Sequence, residues 1–167
     1  PETLSYKAGD KYLTSTQGRS NQPLVAFDTN GRAYSVQTHT LPSARSQGEP
    51  LSGRIDLTAG SKVTQLALAD EAAKWVLATS YGYGFITKHG DLLGRNKAGK
   101  SVVNLGEAEL LPPVEIVDSE LSRIAVAAST GHLLVFEARQ LPELARGKGN
   151  KLVQIPPAQL EDGHRVT

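Results

Sequence analysis

One stretch of the sequence has the residue pattern of a phosphate-binding loop. Residues 94–101 fit G-x-x-x-x-G-K-[ST], in which backbone amides and a lysine surround the phosphates of a nucleotide. Hydrolysis of the nucleotide would also require an acidic residue for magnesium. Asp28 and Asp118 each end a short apolar run, which is where such an acid is found. A nucleotide hydrolase is therefore one hypothesis for this chain.

The elements that would have to position this loop are not predicted. A phosphate-binding loop must open a helix, because the helix N-terminus faces the anion. Here the β-branched Val102 and Val103 follow the loop, and Gly106 comes soon after them. Asp28 also precedes the loop, which is not the usual order. We therefore retain nucleotide hydrolysis only as an alternative.

The same loop has counterparts elsewhere, which a unique catalytic loop would not have. Basic, glycine-bearing segments that run into apolar residues begin at Arg45 (RSQGEPLSGRIDL), Arg95 (RNKAGKSVVNL) and Arg146 (RGKGNKLVQI). An incomplete copy, YKAGDKYL, begins at Tyr6. The recurrence indicates a structural repeat.

Glycine turns predict three β-hairpins of one design. Residues 24–27 and 33–36 flank the sequence DTNG, in which Asn30 and Gly31 both tolerate positive φ. The arrangement returns as residues 75–78 and 85–87 around Gly82, and as residues 124–127 and 133–136 around Gly131. The aromatic residues of these strands are expected in the core. They are Tyr34, Trp75, Phe85 and Phe136.

The hairpin glycines set a period of about 50 residues. Leu41, Leu92 and Leu141 each lie ten residues after the glycine of their own hairpin. Each unit should then contain a basic loop, a strand that ends at Leu57, Leu105 or Ile155, and a connector. A short strand is also predicted at 11–16, and weak single helical turns at 70–74 and 142–145. Short strands and glycine turns without a long amphipathic helix predict an all-β, propeller-like fold of four-stranded blades.

Length and composition limit the alternatives. A chain of 167 residues with 39% apolar content is expected to form one domain, with repeat units at 1–23 (partial), 24–70, 71–120 and 121–167. Without cysteine there is neither a disulfide scaffold nor a cysteine metal site. No apolar run approaches the roughly 18 residues of a membrane span. The chain opens on Pro1, so we expect a fragment.

The repeat unit resembles a known family. Its most specific portion is SNQPLVAFDTNGRAYSVQTHTLPSARSQGEPLSG at 20–53, and the likeness extends over about residues 5–155. It is similar to the C-terminal domain of the A subunit of bacterial type IIA topoisomerases, with topoisomerase IV as the closest match. The resemblance implies a β-pinwheel, in which each blade borrows a strand from its neighbour. Here we expect about three full blades and a partial one.

The resemblance also implies a function for the domain. It implies DNA binding and bending along the rim of the pinwheel, and a sensor of substrate geometry that aids decatenation and relaxation of supercoils in chromosome segregation. The gyrase box Q-R-R-G-G-R-G has only degenerate counterparts here, which favours topoisomerase IV over gyrase.

The family suggests a wider context for a non-catalytic fragment. The parent enzyme would use Mg²⁺, and ATP on its B subunit, within an A₂B₂ heterotetramer, whereas the fragment alone should be a monomer that needs no cofactor. The expected location is the bacterial cytoplasm with the nucleoid, and the parent enzyme could associate peripherally with the inner membrane.

Charge is segregated with the repeat, although the net charge is only +1. Residues 88–100 contain one acid, Asp91, and residues 139–151 contain one, Glu143, whereas residues 106–122 carry five acids and no Lys or Arg. Such basic loops could track phosphates without reading bases. The expected DNA contacts are Arg45, Arg54, Lys88, Arg95, Lys97, Lys100, Arg139, Arg146, Lys148 and Lys151, with Arg19 and Arg32 in second rank.

Two further interpretations concern proteins and metals. The acidic stretch at 107–120 could serve a propeller that docks proteins, and weak DNA affinity at any salt concentration would favour that alternative. The histidines at 39, 89, 132 and 164 have no zinc-binding spacing and are expected in loops.

Overall fold

All three predicted hairpins form, and the first two are each the centre of a sheet. The computed structural model describes residues 8–9, 11–43, 45–46 and 48–167. The first hairpin pairs β1 (Pro23–Asp28) with β2 (Arg32–Gln37). The remaining strands are β3 (Val63–Leu68), β4 (Lys74–Ala78), β5 (Tyr83–Lys88), β6 (Lys100–Ser101), β7 (Val114–Ile116), β8 (Arg123–Ala127), β9 (Leu133–Glu137) and β10 (Asn150–Lys151).

The first two sheets are completed by strand exchange. The first sheet has the order β3-β1-β2-β6, and the second has the order β10-β5-β4-β7. In both, the strand that follows a basic loop adds to the hairpin of the preceding unit: β6 pairs with β2, and β10 pairs with β5. All these pairings are antiparallel. The four-stranded blades predicted from the strand pattern are confirmed in these two units, and so is the borrowed strand that the resemblance implied.

The third unit is smaller than expected. Its hairpin pairs β8 with β9, and within the described residues this sheet has two strands. A single bridge from Ala128 to Val166 marks the start of a further pairing. The described residues thus hold two four-stranded sheets and a hairpin, whereas three full blades and a partial one were predicted.

The strands of the first two hairpins have buried side chains on both faces, which explains how the sheets stack, whereas Leu133, Leu134 and Val135 of the third hairpin are exposed. Because side chains alternate across a strand, Val25 and Phe27 enter one apolar cluster while Leu24 enters another. Trp75 joins Val25 and Phe27, and Val76 on the opposite face joins a third cluster with β8. Of the four aromatic side chains expected in the core, Tyr34, Trp75 and Phe85 are buried and Phe136 is half-buried.

Several local predictions were wrong. Residues 11–16 form no strand, because no strand among the described residues pairs with them. Residues 70–74 form a turn, since Lys74 already begins β4. Residues 142–145 are not helical, because the Pro142 carbonyl and the Leu144 N–H both bond to Ile86. The incomplete repeat at 6–13 lies partly outside the described residues.

The strands after the basic loops are also shorter than predicted. They do not reach Leu105 or Ile155, and no strand ends at Leu57. In the second unit, the N–H groups of Val102 and Val103 both donate to the Gly31 carbonyl, which ends the pairing with β2 after two residues. The next residue, Asn104, donates its N–H to the Gly147 carbonyl in the following basic loop.

The helices are short. They are α1 (His89–Leu92) and α2 (Pro157–Glu161), accompanied by 3₁₀ turns at Thr38–Thr40, Leu51–Gly53 and Ala138–Gln140. Neither α-helix was predicted, although Pro157 at the start of α2 is a recognised signal for a helix N-terminus. Among the described residues, no helix has the length and apolar character to cross a membrane.

Candidate nucleic-acid interface

The basic loops form three turns, which we call the first (45–54), second (94–100) and third (146–151) basic turns. The second and third lie against the preceding hairpin, and a glycine makes each approach close enough. Gly99 has φ +61°, and a Cβ atom there would lie 2.6 Å from the Ala33 carbonyl oxygen. At Gly149, φ is +75° and a Cβ atom would lie 2.0 Å from the Gly84 carbonyl oxygen. These glycines are required by strand exchange, because any side chain would collide with the receiving strand.

The pairing register corrects the alignment of these two turns. Lys100 lies opposite Ala33, and the residue in the equivalent place opposite Gly84 is Asn150. Lys151 is therefore equivalent to Ser101, and not to Lys100 as the spacing from Arg95 and Arg146 suggests. Since neighbouring residues of a strand face opposite ways, Lys100 and Lys151 project from opposite faces of their sheets.

Equivalent hydrogen bonds join the three basic turns in series. The Asp56 N–H, just after the first turn, donates to the Lys97 carbonyl of the second turn at 2.9 Å. The Asn104 N–H, just after the second turn, donates to the Gly147 carbonyl of the third turn at 2.9 Å. The Gly147 N–H returns a bond to the Val102 carbonyl at 2.8 Å. One of these bonds thus recurs between successive turns, and the return bond is found between the second and third turns.

Most cations of these turns have no acidic neighbour. Among the described residues, no carboxylate oxygen lies within 4.0 Å of the charged nitrogens of seven of them. They are Arg45, Arg95, Lys97, Lys100, Arg146, Lys148 and Lys151. All are exposed except Lys100, which is half-buried. The turns therefore carry uncompensated positive charge towards solvent.

Two other predicted contacts form ion pairs with an acid nearby in the fold. Arg19 is 2.7 Å from Asp70. Arg139 is 2.7 Å from Glu137, and the hydrogen bond that it donates to this carboxylate raises the pKa of the Arg139 guanidinium. The charges of both arginines are thus balanced locally.

Lys88 and Arg54 are also paired. Lys88 lies 3.5 Å from Glu143, whose other oxygen accepts a hydrogen bond from Lys74 at 2.7 Å. The Lys74 hydrogen bond lowers the pKa of the Glu143 carboxyl, and Lys88 adds to this effect. Arg54 contacts Glu49 and also donates to Thr40. Glu143 is the one acid among residues 139–151. It binds Lys74 and Lys88, which lie outside the third turn, so it does not neutralise the cations of that turn.

Two side chains of the hairpins, Arg32 and Tyr83, contact the second and third basic turns. Arg32 donates from Nη2 to the carbonyl oxygens of Ala98 at 2.7 Å and Gly99 at 3.0 Å. The ring of Tyr83 lies under two lysines of the third turn: Nζ of Lys148 is 4.0 Å from the ring centroid and Nζ of Lys151 is 5.7 Å from it. Arg32 was predicted as a second-rank DNA contact, and Tyr83 was not predicted at all.

The phosphate-loop pattern at 94–101 is explained by the fold. Lys100 begins β6, so the loop opens a strand and offers no helix N-terminus to a phosphate. The Gly94 N–H donates to Ser35 Oγ at 2.8 Å, and the Gly99 N–H donates to the Asn96 carbonyl at 3.0 Å. Both amides are therefore occupied within the protein.

The two aspartates that resembled magnesium ligands stabilise turns. Asp28 is buried and accepts hydrogen bonds from the N–H groups of Asn30 and Arg32 and from the Tyr34 hydroxyl. Asp118 accepts from the N–H groups of Glu120 and Leu121. The described residues contain no group of three His, Asp or Glu side chains suited to a metal ion.

One histidine lies in the core, contrary to the prediction that all four lie in loops. His89 is buried at the start of α1, where Nδ1 accepts a hydrogen bond from Trp75 Nε1 at 3.0 Å and Nε2 is 2.8 Å from the Pro23 carbonyl oxygen. This pattern fits a neutral ring that donates from Nε2. Burial lowers the pKa of His89, which favours the same form. The side chain joins the first and second sheets.

The chain is similar in sequence to A subunits of bacterial DNA topoisomerase 4. No protein-family model matches the chain. The A subunit of DNA topoisomerase 4 from Haemophilus influenzae is 45% identical over 163 residues, which are 97% of this chain and 22% of that protein. Its Escherichia coli counterpart is 42% identical over 161 residues, which are 96% of this chain and 21% of that protein. The chain thus spans about a fifth of the length of these curated relatives.

A solved structure gives the more complete comparison. The Escherichia coli ParC C-terminal domain superposes with a TM-score of 0.86 at 39% identity, over 99% of this chain and 68% of that one. Together with the strand exchange seen in this chain, the match assigns the β-pinwheel fold that the resemblance implied. The chain belongs to the family of C-terminal domains of the topoisomerase IV A subunit, ParC.

Proposed function

We propose that this domain binds duplex DNA along its three basic turns and bends it, as the DNA-guiding part of a topoisomerase IV. One observation carries the proposal: successive turns are joined by equivalent backbone bonds, and seven of their cations have no carboxylate within 4.0 Å among the described residues. A repeated array of free cations suits a repeated array of phosphates. The domain's net charge of +1 would not attract DNA by itself.

The free cations are the proposed primary contacts. Arg45 serves the first turn, Arg95, Lys97 and Lys100 serve the second, and Arg146, Lys148 and Lys151 serve the third. Because lysine and arginine bind phosphate oxygens without reading bases, the interaction should tolerate any sequence and weaken with salt.

The remaining predicted contacts have a lesser role in this proposal. Arg19, Arg54, Lys88 and Arg139 already share their charge with a carboxylate, so DNA would gain less from each of them. The guanidinium of Arg32 bonds to the backbone of the second turn, and its proposed role is to hold that turn.

The wider enzyme enters as part of the proposal. We infer that the full-length protein acts in decatenation and relaxation of supercoils during chromosome segregation, in the bacterial cytoplasm. It would do so with the B subunit and with the N-terminal part of the A subunit, in an A₂B₂ assembly. ATP and Mg²⁺ would serve that assembly elsewhere, since the nucleotide-like pattern of this domain leads into a strand and its two aspartates hold turns.

The test is the affinity of this chain for a duplex, measured from low to moderate salt. We expect log K to fall with log [salt] with a slope of several units. The double variants Arg95→Ala/Lys97→Ala and Arg146→Ala/Lys148→Ala should each reduce the slope by about two, because each removes two phosphate contacts. Lys62→Ala is the matched control, since Lys62 is exposed and lies in a connector outside the turns.

The competing functions give different results in this test. Absence of DNA affinity even at low salt would reject the proposal and favour a protein-docking disc. An effect of Lys62→Ala as large as that of either double variant would reject the basic turns as the contact site. Saturable, magnesium-dependent nucleotide binding would favour the hydrolase alternative.

A further inference from the structure

The residue after each hairpin glycine occupies one repeated position in the fold. Arg32 follows Gly31, and Tyr83 follows Gly82. Arg32 lies opposite Ser101 of the borrowed strand, and Tyr83 lies opposite Lys151 of the next borrowed strand. The two side chains therefore face the basic turn that the following unit inserts.

These two residues hold their turns by different chemistry. Arg32 donates hydrogen bonds to the carbonyls of Ala98 and Gly99, and so fixes the backbone of the second turn. In the third turn Lys148 occupies the place of Ala98, because Gly149 and Gly99 are equivalent in register. Tyr83 meets the ammonium of this lysine with its ring face, at 4.0 Å, and the ammonium of Lys151 at 5.7 Å.

The contact with Tyr83 changes what DNA binding costs. A free surface lysine has many rotamers, and the loss of this freedom opposes binding when the lysine meets a phosphate. An aromatic ring under the ammonium restricts the rotamers beforehand and leaves the charge in place. Tyr83 is half-buried in β5, so the ring is itself held by the sheet.

We propose that Tyr83 is a positioning residue for DNA binding, whose ring holds the ammonium groups of Lys148 and Lys151 ready for phosphate. Arg32 has the corresponding task for the second turn. The inference rests on the proposed function, because it assigns Tyr83 a part in the same DNA surface. His132 takes this position in the third hairpin, where no basic turn among the described residues reaches it.

Tyr83 allows a clean test because it carries no charge. Tyr83→Leu should weaken duplex binding by about threefold to tenfold, the range expected when the rotamers of a surface lysine are ordered only on binding. The salt slope should stay unchanged, since every cation remains. Tyr83→Phe keeps the ring face and should bind as wild type does. Circular dichroism and thermal unfolding check that each variant is folded.

A double-mutant cycle shows whether the effect passes through the lysines. In a Lys148→Ala/Lys151→Ala background, Tyr83→Leu should have no further effect on affinity. The inference is overturned if Tyr83→Leu leaves binding of the otherwise wild-type chain unchanged or makes it tighter, or if its effect persists without the lysines. If the lysine pair itself can be removed with no change in affinity or slope, the proposed function fails instead.

A measurement on the unmodified chain covers the case in which Tyr83→Leu does not fold. Protons on the ε-carbon of a lysine under an aromatic face are shifted upfield by the ring current. The NMR spectrum without DNA should contain such a resonance, and Lys148→Ala should remove it. Its absence from the wild-type spectrum would refute the contact.

Discussion

The buried side chain of His89 couples the first two sheets through one neutral ring. Trp75 Nε1–H donates to Nδ1, and Nε2–H donates to the carbonyl of Pro23 at the start of β1. Protonation of Nδ1 would place a second N–H against the Trp75 donor and a charge in the core. The two sheets are therefore joined by a contact that requires the uncharged imidazole.

This contact predicts how stability depends on pH. Burial lowers the pKa of His89 below its ordinary value of 6.5, although the Pro23 carbonyl and the carboxylates of Glu115, Glu71 and Asp70 oppose the shift. The unfolded chain then binds more protons than the folded chain as the pH falls. The contribution of His89 to stability is thus complete above the unfolded pKa and decreases below it.

Urea unfolding midpoints between pH 8 and pH 5 measure the effect. In His89→Gln, whose amide can accept from Trp75 and donate to Pro23, the fall in stability below about pH 6.5 should become shallower, because the titrating group is gone. His39→Gln is the control, since His39 is exposed in a 3₁₀ turn. Equal pH profiles for wild type and His89→Gln would contradict the assignment.

At the scale of the elements, strand exchange depends on glycine in the basic turns. Gly99 combines a left-handed φ with a close approach to β2, whereas Gly60 has φ +80° and open space around it. Gly60→Ala should therefore lower the free energy of unfolding by about 1 kcal/mol, which is the backbone penalty alone. Gly99→Ala should lower it by about 3 kcal/mol, because β6 must also move away from Ala33.

Chemical denaturation of the two variants tests this difference. Equal losses would mean that β6 is not held against β2 as described. Gly149→Ala should resemble Gly99→Ala, since a Cβ atom there would meet the Gly84 carbonyl.

Sequence patterns predicted the hairpins but not the partners of their edges. Alternating apolar residues around a glycine turn define a hairpin locally, and the observed strands exceed the predicted ranges by one or two residues at an end. β6 and β10 have two residues each, which is too short for any periodicity. β3 was missed because nearly all its residues are half-buried, so VTQLAL has no clear apolar face.

The cations of the candidate surface were predictable, whereas their surroundings were not. Charge and glycine recur in the sequence, and they suffice to name Arg95 or Arg146. The neighbours of these cations depend on the pairing register of the borrowed strand. The lysine of the third turn lies one residue further along its strand than Lys100 does in the second, so Lys151, and not Asn150, is beside Tyr83. No local pattern records such a shift, because it arises from the turn length in one unit and the hairpin in another.

At the scale of the whole molecule, the serial connection of the basic turns predicts bending of DNA. A duplex that contacts both the second and third turns must follow the relation fixed by their shared hydrogen bonds. Smooth bending of a short site by 40–90° costs on the order of 1–6 kcal/mol, which several phosphate contacts can offset. One turn alone would give no reason to bend.

Energy transfer between dyes at the two ends of a duplex measures this bending. Transfer should rise when the wild-type chain binds, and the combined variant lacking Arg95, Lys97, Arg146 and Lys148 should remove the rise at a concentration where wild type saturates. Either double variant alone, Arg95→Ala/Lys97→Ala or Arg146→Ala/Lys148→Ala, should still bind the duplex but bend it less. Unchanged transfer at saturation with wild type would show a straight duplex and contradict the arrangement.

Strand exchange also determines how such a domain can gain or lose repeats. The first sheet includes Lys100–Ser101 and the second includes Asn150–Lys151, so each of these sheets contains a strand from the following repeat unit. A gene duplication that spans a whole period of about 50 residues would therefore insert a blade closed by the strand of the following copy, whereas duplication of a hairpin alone would leave that blade unclosed. Such an insertion would add one set of cations with each blade, so the contour available to DNA would lengthen in fixed steps.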